Sequence, residues 1–166
     1  NYKENKKQEQ TMLAEAIISI TVAFSSPAEH ECLATNIYFE ARNQSVAGKV
    51  AVSHVVFNRV NSKRFPDTIC GVVYQGVKNK DGSMKRHMCQ FSWYCDGLSD
   101  APKDQEAWEA AQVLASEALV LHQQGYDGTD GSMWYHAKNV KPNWRSDFNF
   151  VGQIDDHLFY REKKRK

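Results

Sequence analysis

The sequence lacks both a strong charge of one sign and a long apolar run. Its 21 lysines and arginines nearly balance 20 aspartates and glutamates, which leaves a formal net charge of +1. Such a chain has no field that would attract it to DNA or RNA, so no nucleic acid partner is expected. No apolar stretch reaches the roughly 18 to 20 residues that span a bilayer, so no membrane-spanning segment is expected.

Local metal-binding motifs are also missing. The four cysteines contain no Cys-x-x-Cys pair, and the six histidines contain no His-x-x-x-His pair. These spacings are typical of zinc sites and of zinc-dependent hydrolases. A zinc amidase or peptidase is therefore disfavoured, although ligands from distant positions could still converge. We expect neither a metal nor a cofactor.

The residues that are present indicate one folded domain. A chain of 166 residues with 42% hydrophobic and 11% aromatic residues can bury a core of its own and is unlike a disordered chain. Four cysteines suit two disulfides, for which three pairings are possible. Cys89 and Cys95 are close enough in sequence for a local bridge, which would leave Cys32 for Cys70. Free thiols are the alternative. Bridges would indicate the periplasm or the exterior.

Residues 1–30 differ in character from the remainder. A polar, lysine-rich start is followed by an apolar run at 12–24, where apolar residues recur at helical spacing: Leu13, Ile17, Ile20 and Phe24. We favour an amphipathic helix that Pro27 closes. A short apolar run that ends in small residues also resembles a secretory signal or its remnant. At the other end, residues 162–166 form a mostly basic tail.

Periodicity and helix breakers predict an α+β fold, mainly helical, with a small β element near the C-terminus. Residues 76–100 are expected to form a loop or short strands, and Gly125 is expected to end the longest helix. The predicted elements are helices at about 31–42, 45–62, 68–74 and 103–124, a strand at 133–136, and a hairpin of 148–153 with 157–161.

Glu40 is the strongest candidate for catalysis. In a helix, Leu33, Ile37 and Glu40 fall on one face at spacings of four and three. A carboxyl at the edge of an apolar face is partly desolvated, which raises its pKa and keeps it protonated, as a general acid requires. A solvated Glu40, or one that is paired with Arg42 or Arg59, is the alternative.

Seven blocks occur in a fixed order: CLATNIYFEAR at 32–42, GKVAV at 48–52, FNRV at 57–60, FPDTICGVVYQ at 65–75, CQFSWYCDG at 89–97, WYHA at 134–137 with Pro142 and Trp144, and HLFYR at 157–161. Together they resemble the SleB/CwlJ-type cell-wall hydrolases over about residues 31–161. The resemblance implies a peptidoglycan-cleaving domain with a lysozyme-like fold. It also implies that Glu40 is the catalytic acid/base. The family's glycine-rich stretch is altered here at 43–46.

The number of catalytic carboxylates bears on the reaction. Hydrolysis of a glycosidic bond ordinarily needs a second carboxylate. The candidates Asp96, Asp127, Asp130 and Asp147 all lie in turn-like contexts. We therefore favour a lytic transglycosylase, which cleaves the β-1,4 bond between N-acetylmuramic acid and N-acetylglucosamine and leaves 1,6-anhydromuramic ends. A muramidase, an N-acetylmuramoyl-L-alanine amidase and a non-catalytic wall-binding module are the alternatives.

A glycan groove needs flat apolar surfaces together with hydrogen-bonding side chains. Core positions for Phe91 and Trp93, and a structural role for His136, are the alternatives to substrate contact. We expect a monomer that binds peptidoglycan glycan strands at the cell wall, in bacterial remodelling or as a phage lysis protein (an endolysin). The predicted substrate-binding residues are Gln90, Phe91, Ser92, Trp93, Tyr135, His136 and Tyr160.

Overall fold

The computed structural model describes residues 26–163, and both the predicted helix at 12–24 and residues 164–166 lie outside this part. The predicted α+β, mainly helical architecture is confirmed. The helices are α1 (Pro27–Ala41), α2 (Val46–Val60), α3 (Ile69–Val73) and α4 (Gln105–Gln123). The strands are β1 (Gly76–Lys78), β2 (Met84–Cys89), β3 (Trp134–Ala137), β4 (Asn149–Ile154) and β5 (His157–Arg161), with 3-10 turns at Ser92–Cys95 and Asn143–Asp147.

The strands form two separate antiparallel sheets. β1 and β2 pair as a hairpin, whereas the C-terminal sheet has the order β3-β5-β4. The predicted terminal hairpin is therefore present, and the predicted strand at 133–136 pairs with its second strand. Within residues 26–163, no helix combines the length and the apolar character needed to cross a membrane.

Two helices begin two or more residues away from their predicted starts, and capping explains both differences. α1 begins at Pro27, because the Ser26 side chain accepts a hydrogen bond from the Glu29 amide at 3.3 Å and proline suits the first helical position. Pro27 thus opens a helix. α4 begins at Gln105, because Asp104 accepts from the Ala107 amide at 3.0 Å.

The first helix lies at the centre of the domain. It packs against α2, α3 and α4, and every residue from Cys32 to Tyr38 is buried. A helix that is enclosed on all sides needs apolar or internally bonded residues around its whole circumference. Glu40 stands near its C-terminal end, where the enclosure opens.

Two disulfides pin the loops around this centre. Cys32 of α1 is bridged to Cys70 of α3, with Cα atoms 5.2 Å apart, and Cys89 is bridged to Cys95, with Cα atoms 6.0 Å apart. The pairing suggested by sequence distance is thus present. Glu29 adds a second tie between α1 and α3, since its Oε2 accepts from the Ile69 amide at 2.5 Å.

A turn of the C-terminal sheet docks on the N-terminus of α2. Asp155, in the β4–β5 turn, accepts hydrogen bonds from the Ser45 amide at 2.8 Å and the Ser45 hydroxyl at 2.7 Å. A Cβ atom at Gly48 would collide with the Asp155 carboxylate. Glycine at this position therefore allows the sheet to approach α2 closely, which in turn places β3 beside the helices.

We expect Gly48→Ala to lower the free energy of unfolding, although alanine favours helices by up to about 1 kcal/mol. The collision with Asp155 should cost about 1–3 kcal/mol and so outweigh that gain. In an Asp155→Ala background the same substitution should cost clearly less, because the opposing carboxylate is gone. Urea unfolding of the four proteins measures this coupling, and an equal cost in both backgrounds would contradict it.

The two disulfides should differ in their contribution to stability. The bridged residues are 38 positions apart in one case and 6 in the other. Loop-closure entropy then predicts a loss of about 4 kcal/mol for Cys32→Ala with Cys70→Ala, and about 2 kcal/mol for Cys89→Ala with Cys95→Ala. Urea unfolding monitored by circular dichroism measures both. A larger loss for the short loop would contradict the prediction.

Candidate active site

Glu40 meets a residue of the C-terminal sheet. The hydroxyl of Tyr135, in β3, donates a hydrogen bond to Glu40 Oε2 at 2.8 Å. Tyr135 also packs with Phe159, Ala51 and Val55 in a small apolar cluster between the sheet and α2. This packing fixes the tyrosine ring and thereby aims its hydroxyl at the carboxyl group.

Arg59 is a buried cation near the same carboxyl group. It lies in α2, is only 4% exposed, and donates from Nε to the Met133 carbonyl at 2.8 Å. Its guanidinium carbon lies 5.1 Å from the centre of the Phe65 ring and 5.2 Å from that of Phe91. Cation–π contact and the backbone bond therefore hold the side chain firmly. Its Nη1 atom has no hydrogen-bond partner among the described residues.

These residues enclose a small pocket of about 130 Å³. The segment after β2 supplies one wall, and it is held by the Cys89–Cys95 bridge and by the Gln90 amide, which donates to the Gln75 carbonyl at 2.9 Å. Among the described residues, Glu40 is the only carboxylate that lines the pocket. The lining residues are Glu40, Arg59, Gln90, Phe91, Ser92 and Tyr135.

The environment of Glu40 contains opposing effects on its protonation. Burial raises the pKa of Glu40, while the Tyr135 hydrogen bond and the positive charge of Arg59 lower it, and the net direction is upward. Burial also lowers the pKa of Arg59 to about 10, so the guanidinium stays charged near neutrality. The pKa of Tyr135 lies well above its ordinary value, mainly because of burial, so its hydroxyl remains a donor. The arrangement suits a carboxyl that gives up a proton and takes it back.

Trp93 belongs to an adjoining pocket of about 280 Å³ rather than to the pocket of Glu40. Its ring stacks on Phe39 with centroids 4.8 Å apart, and its indole N–H donates to Asn36 at 3.1 Å. It is 6% exposed, so it is largely a core residue with one edge on the pocket wall. Asp96 and Asp100 line the same pocket. The pKa of Asp100 is raised by burial and by the nearby Asp96.

The structure places His136 and Tyr160 away from Glu40, on the other face of the C-terminal sheet. Successive residues of a strand point to opposite faces, so Tyr135 faces α2 while His136 faces away from it. His136 Nε2 and the Tyr160 hydroxyl are 3.0 Å apart, and both rings pack against Trp144. They stabilise an aromatic cluster on the far face of the sheet.

The predicted site residues thus divide into two groups. Gln90, Phe91, Ser92 and Tyr135 share the pocket of Glu40, although Phe91 is 2% exposed and serves mainly as its floor. Trp93, His136 and Tyr160 lie elsewhere. Arg59, which the sequence offered only as a possible ion-pair partner, lines the pocket. Its position in α2, where it shares the buried side of the helix with Val52 and Val56, was the available signal.

None of the candidate aspartates lines the pocket of Glu40. Asp127 binds its own loop, accepting from the Gly131 amide at 2.7 Å and from Asn58 at 3.0 Å. Asp130 pairs with Arg161. Among residues 26–163, no group of three or more histidines, cysteines and acidic residues could hold a metal ion.

Comparison with known proteins identifies the class. The cell wall hydrolase family model matches residues 43–160, and the chain belongs to this family. The predicted SleB/CwlJ-type resemblance is therefore confirmed. The match begins after Glu40, so the role of that residue rests on the geometry of the pocket and on the motif around it.

Curated relatives and solved structures agree with this assignment. Spore cortex-lytic enzymes from Halalkalibacterium halodurans and Bacillus subtilis are 42% and 36% identical over 130 and 128 residues, covering 78% and 76% of this chain. The chain spans only 33% and 35% of their length. The catalytic domain of Bacillus cereus SleB shares the fold, with a TM-score of 0.59, 23% identity, and coverage of 84% of this chain and 94% of that one. The catalytic domain of the germination-specific lytic transglycosylase SleB from Bacillus anthracis gives a TM-score of 0.60, 22% identity, and coverage of 84% and 98%.

Tyr135→Phe should move the basic limb of the pH–activity profile to higher pH. In the parent protein the Tyr135 hydrogen bond lowers the pKa of Glu40. Its removal therefore raises that pKa, and Glu40 stays protonated further into the alkaline range. We also expect kcat/KM to fall about tenfold, as for the loss of one hydrogen bond. The measurement is the initial rate of peptidoglycan clearing across pH.

Tyr160→Phe is the matched control, since it removes a hydroxyl from the opposite face of the same sheet. The basic limb of the pH–activity profile of Tyr160→Phe should coincide with that of the parent protein. Identical limbs in both variants would show that the Tyr135 hydroxyl does not tune Glu40.

Proposed function

We propose that this domain cleaves peptidoglycan glycan strands at the β-1,4 bond between N-acetylmuramic acid and N-acetylglucosamine, with Glu40 as its single acid/base. The observation that carries the proposal is the pocket, in which Glu40 is the only carboxylate among the described residues and has a raised pKa. Membership of the cell wall hydrolase family supports the substrate class. So do the relatives, which are spore cortex-lytic enzymes.

In the first step Glu40 acts as a general acid. Its proton passes to the glycosidic oxygen while the C1–O bond breaks, and the muramic ring takes on oxocarbenium character. Glu40 is then a carboxylate, which the Tyr135 hydroxyl and the nearby charge of Arg59 stabilise. The products at this stage are a free 4-hydroxyl on the leaving sugar and an electrophilic C1 on muramic acid.

In the second step the same residue acts as a base. The Glu40 carboxylate takes the proton of the muramic C6 hydroxyl, and O6 attacks C1 to close the 1,6-anhydro ring. No water is consumed, and Glu40 is protonated again for the next cycle. This sequence requires one carboxylate, in agreement with the composition of the pocket, and it makes the domain a lytic transglycosylase.

A muramidase is the second candidate, and the adjoining pocket is the observation that favours it. Asp96 and Asp100 line that pocket together with Phe39 and Trp93. Phe39 and Trp93 are the sequence neighbours of Glu40 and Ser92, which line the first pocket. A carboxylate there could activate a water for attack at C1. The reaction products distinguish the two mechanisms.

The site of action that we propose is the cell wall, outside the cytoplasm. Both disulfides require an oxidising compartment to form and persist. Peptidoglycan lies in such a compartment. We propose that the domain acts there as a monomer.

Glu40→Gln should abolish cleavage and retain binding of glycan strands. The amide has nearly the same shape but carries no acidic proton, so kcat/KM should fall by about 10²- to 10⁴-fold. Glu31→Gln is the control, because Glu31 is an exposed carboxylate on the same helix. Activity of Glu40→Gln near that of Glu31→Gln would contradict the assignment.

Mass spectrometry of the released muropeptides should show anhydromuramic ends, which are about 18 Da lighter than the reducing ends of hydrolysis. Reducing ends would favour the muramidase and direct attention to Asp96 and Asp100. Cut stem peptides on intact glycan would refute glycosidic cleavage altogether.

A further inference from the structure

Arg59 has hydrogen-bonding capacity that the protein itself does not use. A guanidinium carries five N–H donors, and in the structure Nε is bound to the Met133 carbonyl while Nη1 has no partner among the described residues. A buried cationic donor without a partner is costly. Because Arg59 lines the pocket of Glu40, a substrate group that enters this pocket can supply the missing acceptor.

The rest of the pocket narrows the chemistry of that group. Ser92 and Gln90 add a hydroxyl and an amide at the wall, and the Phe91 ring adds an apolar surface at the floor. The pocket of about 130 Å³ is well below the roughly 300 Å³ of a typical small-molecule site, so it suits a substituent and not a whole sugar. A group with one carbonyl oxygen and one small apolar end fits these surroundings.

We propose that this pocket binds the C2 acetamido group of the sugar whose C1 is attacked, with its carbonyl oxygen accepting from Arg59 and its methyl group on Phe91. The inference rests on the proposed glycosidic cleavage. C2 is bonded to C1, so a group on C2 lies beside the acid that protonates the oxygen on C1. Arg59 is thereby a specificity-determining residue for N-acetylated strands.

Arg59, as a cationic donor, should distinguish an acetamido group on C2 from a free amino group. Removal of the acetyl group leaves an ammonium group on C2, which offers no acceptor and carries the same charge as Arg59. The expected preference follows from both effects, because the hydrogen bond is lost and a like charge is brought beside a buried guanidinium.

The first experiment uses the unaltered protein and three substrates. These are native peptidoglycan, the same material after chemical de-N-acetylation, and that material after re-N-acetylation with acetic anhydride. We expect kcat/KM to be at least about tenfold lower on the de-N-acetylated strands and to recover after re-N-acetylation. Equal rates on all three substrates would overturn the inference, and no variant is needed to obtain that result.

The second experiment assigns the preference to Arg59. Arg59→Met keeps an unbranched stem between the two rings and removes the charge and the donors, so the ratio of rates on native and de-N-acetylated strands should fall below about threefold. Arg64→Met is the control, because Arg64 is exposed and lies over Trp134. Its ratio should equal that of the parent protein. If a folded Arg59→Met protein prefers native over de-N-acetylated strands as strongly as the parent protein does, the assignment of this preference to Arg59 is overturned.

The two proposals fail in different ways. Glycosidic products from native strands, at a rate that does not depend on N-acetylation, leave the proposed function intact and overturn only the acetamido site. Absence of glycosidic products from native strands overturns the proposed function, and the acetamido site with it.

Discussion

The enclosure of α1 is the constraint on which the rest of the structure depends. Residues from Cys32 to Tyr38 are buried on every side, so the helix has no face that can move independently of its neighbours. A carboxyl group near the end of such a helix is held in a fixed position and has a low-dielectric environment. Glu40 is therefore placed by the core itself, while the Cys32–Cys70 bridge and the Glu29 cap hold the opposite end of α1 against α3.

The C-terminal sheet completes the site because of how closely it approaches α2. Gly48 leaves room for Asp155, and Asp155 binds Ser45 at the helix N-terminus. Further along the sheet, Tyr135 then reaches Glu40. Residues at one end of the sheet–helix contact thus help to hold the sheet that carries Tyr135, although they lie outside the pocket of Glu40.

Most of the fold could be predicted from the sequence, and Glu40, the carboxylate that the sequence singles out, lines the pocket. The predictions that differ from the structure do so for physical reasons. Helical periodicity located α2 and α4, and the cysteine spacing suggested both bridges. The sequence predicts a start of α1 near residue 31, whereas the helix begins at Pro27, because proline suits the first position of a helix and the Ser26 side chain caps it. The sequence predicts that both Tyr135 and His136 contact the substrate, but adjacent strand residues face opposite ways, so only one of the two can face α2. The alternation of side chains along β3 can be predicted from the sequence, whereas the face of the sheet that meets α2 depends on how the sheet packs on the helices.

The charges around Glu40 bear on the proposal that one residue serves both steps. An acid that is only desolvated holds its proton too firmly to become a carboxylate, and an acid that is only paired with a cation loses its proton before the substrate arrives. Here burial raises the pKa of Glu40 while Tyr135 and Arg59 oppose it. The hydrogen bond and the positive charge thus favour the ionised form, which burial alone would disfavour. Since a second carboxylate beside Glu40 would raise its pKa further and disfavour the ionised state, the pocket's composition and its proposed single-residue mechanism support each other.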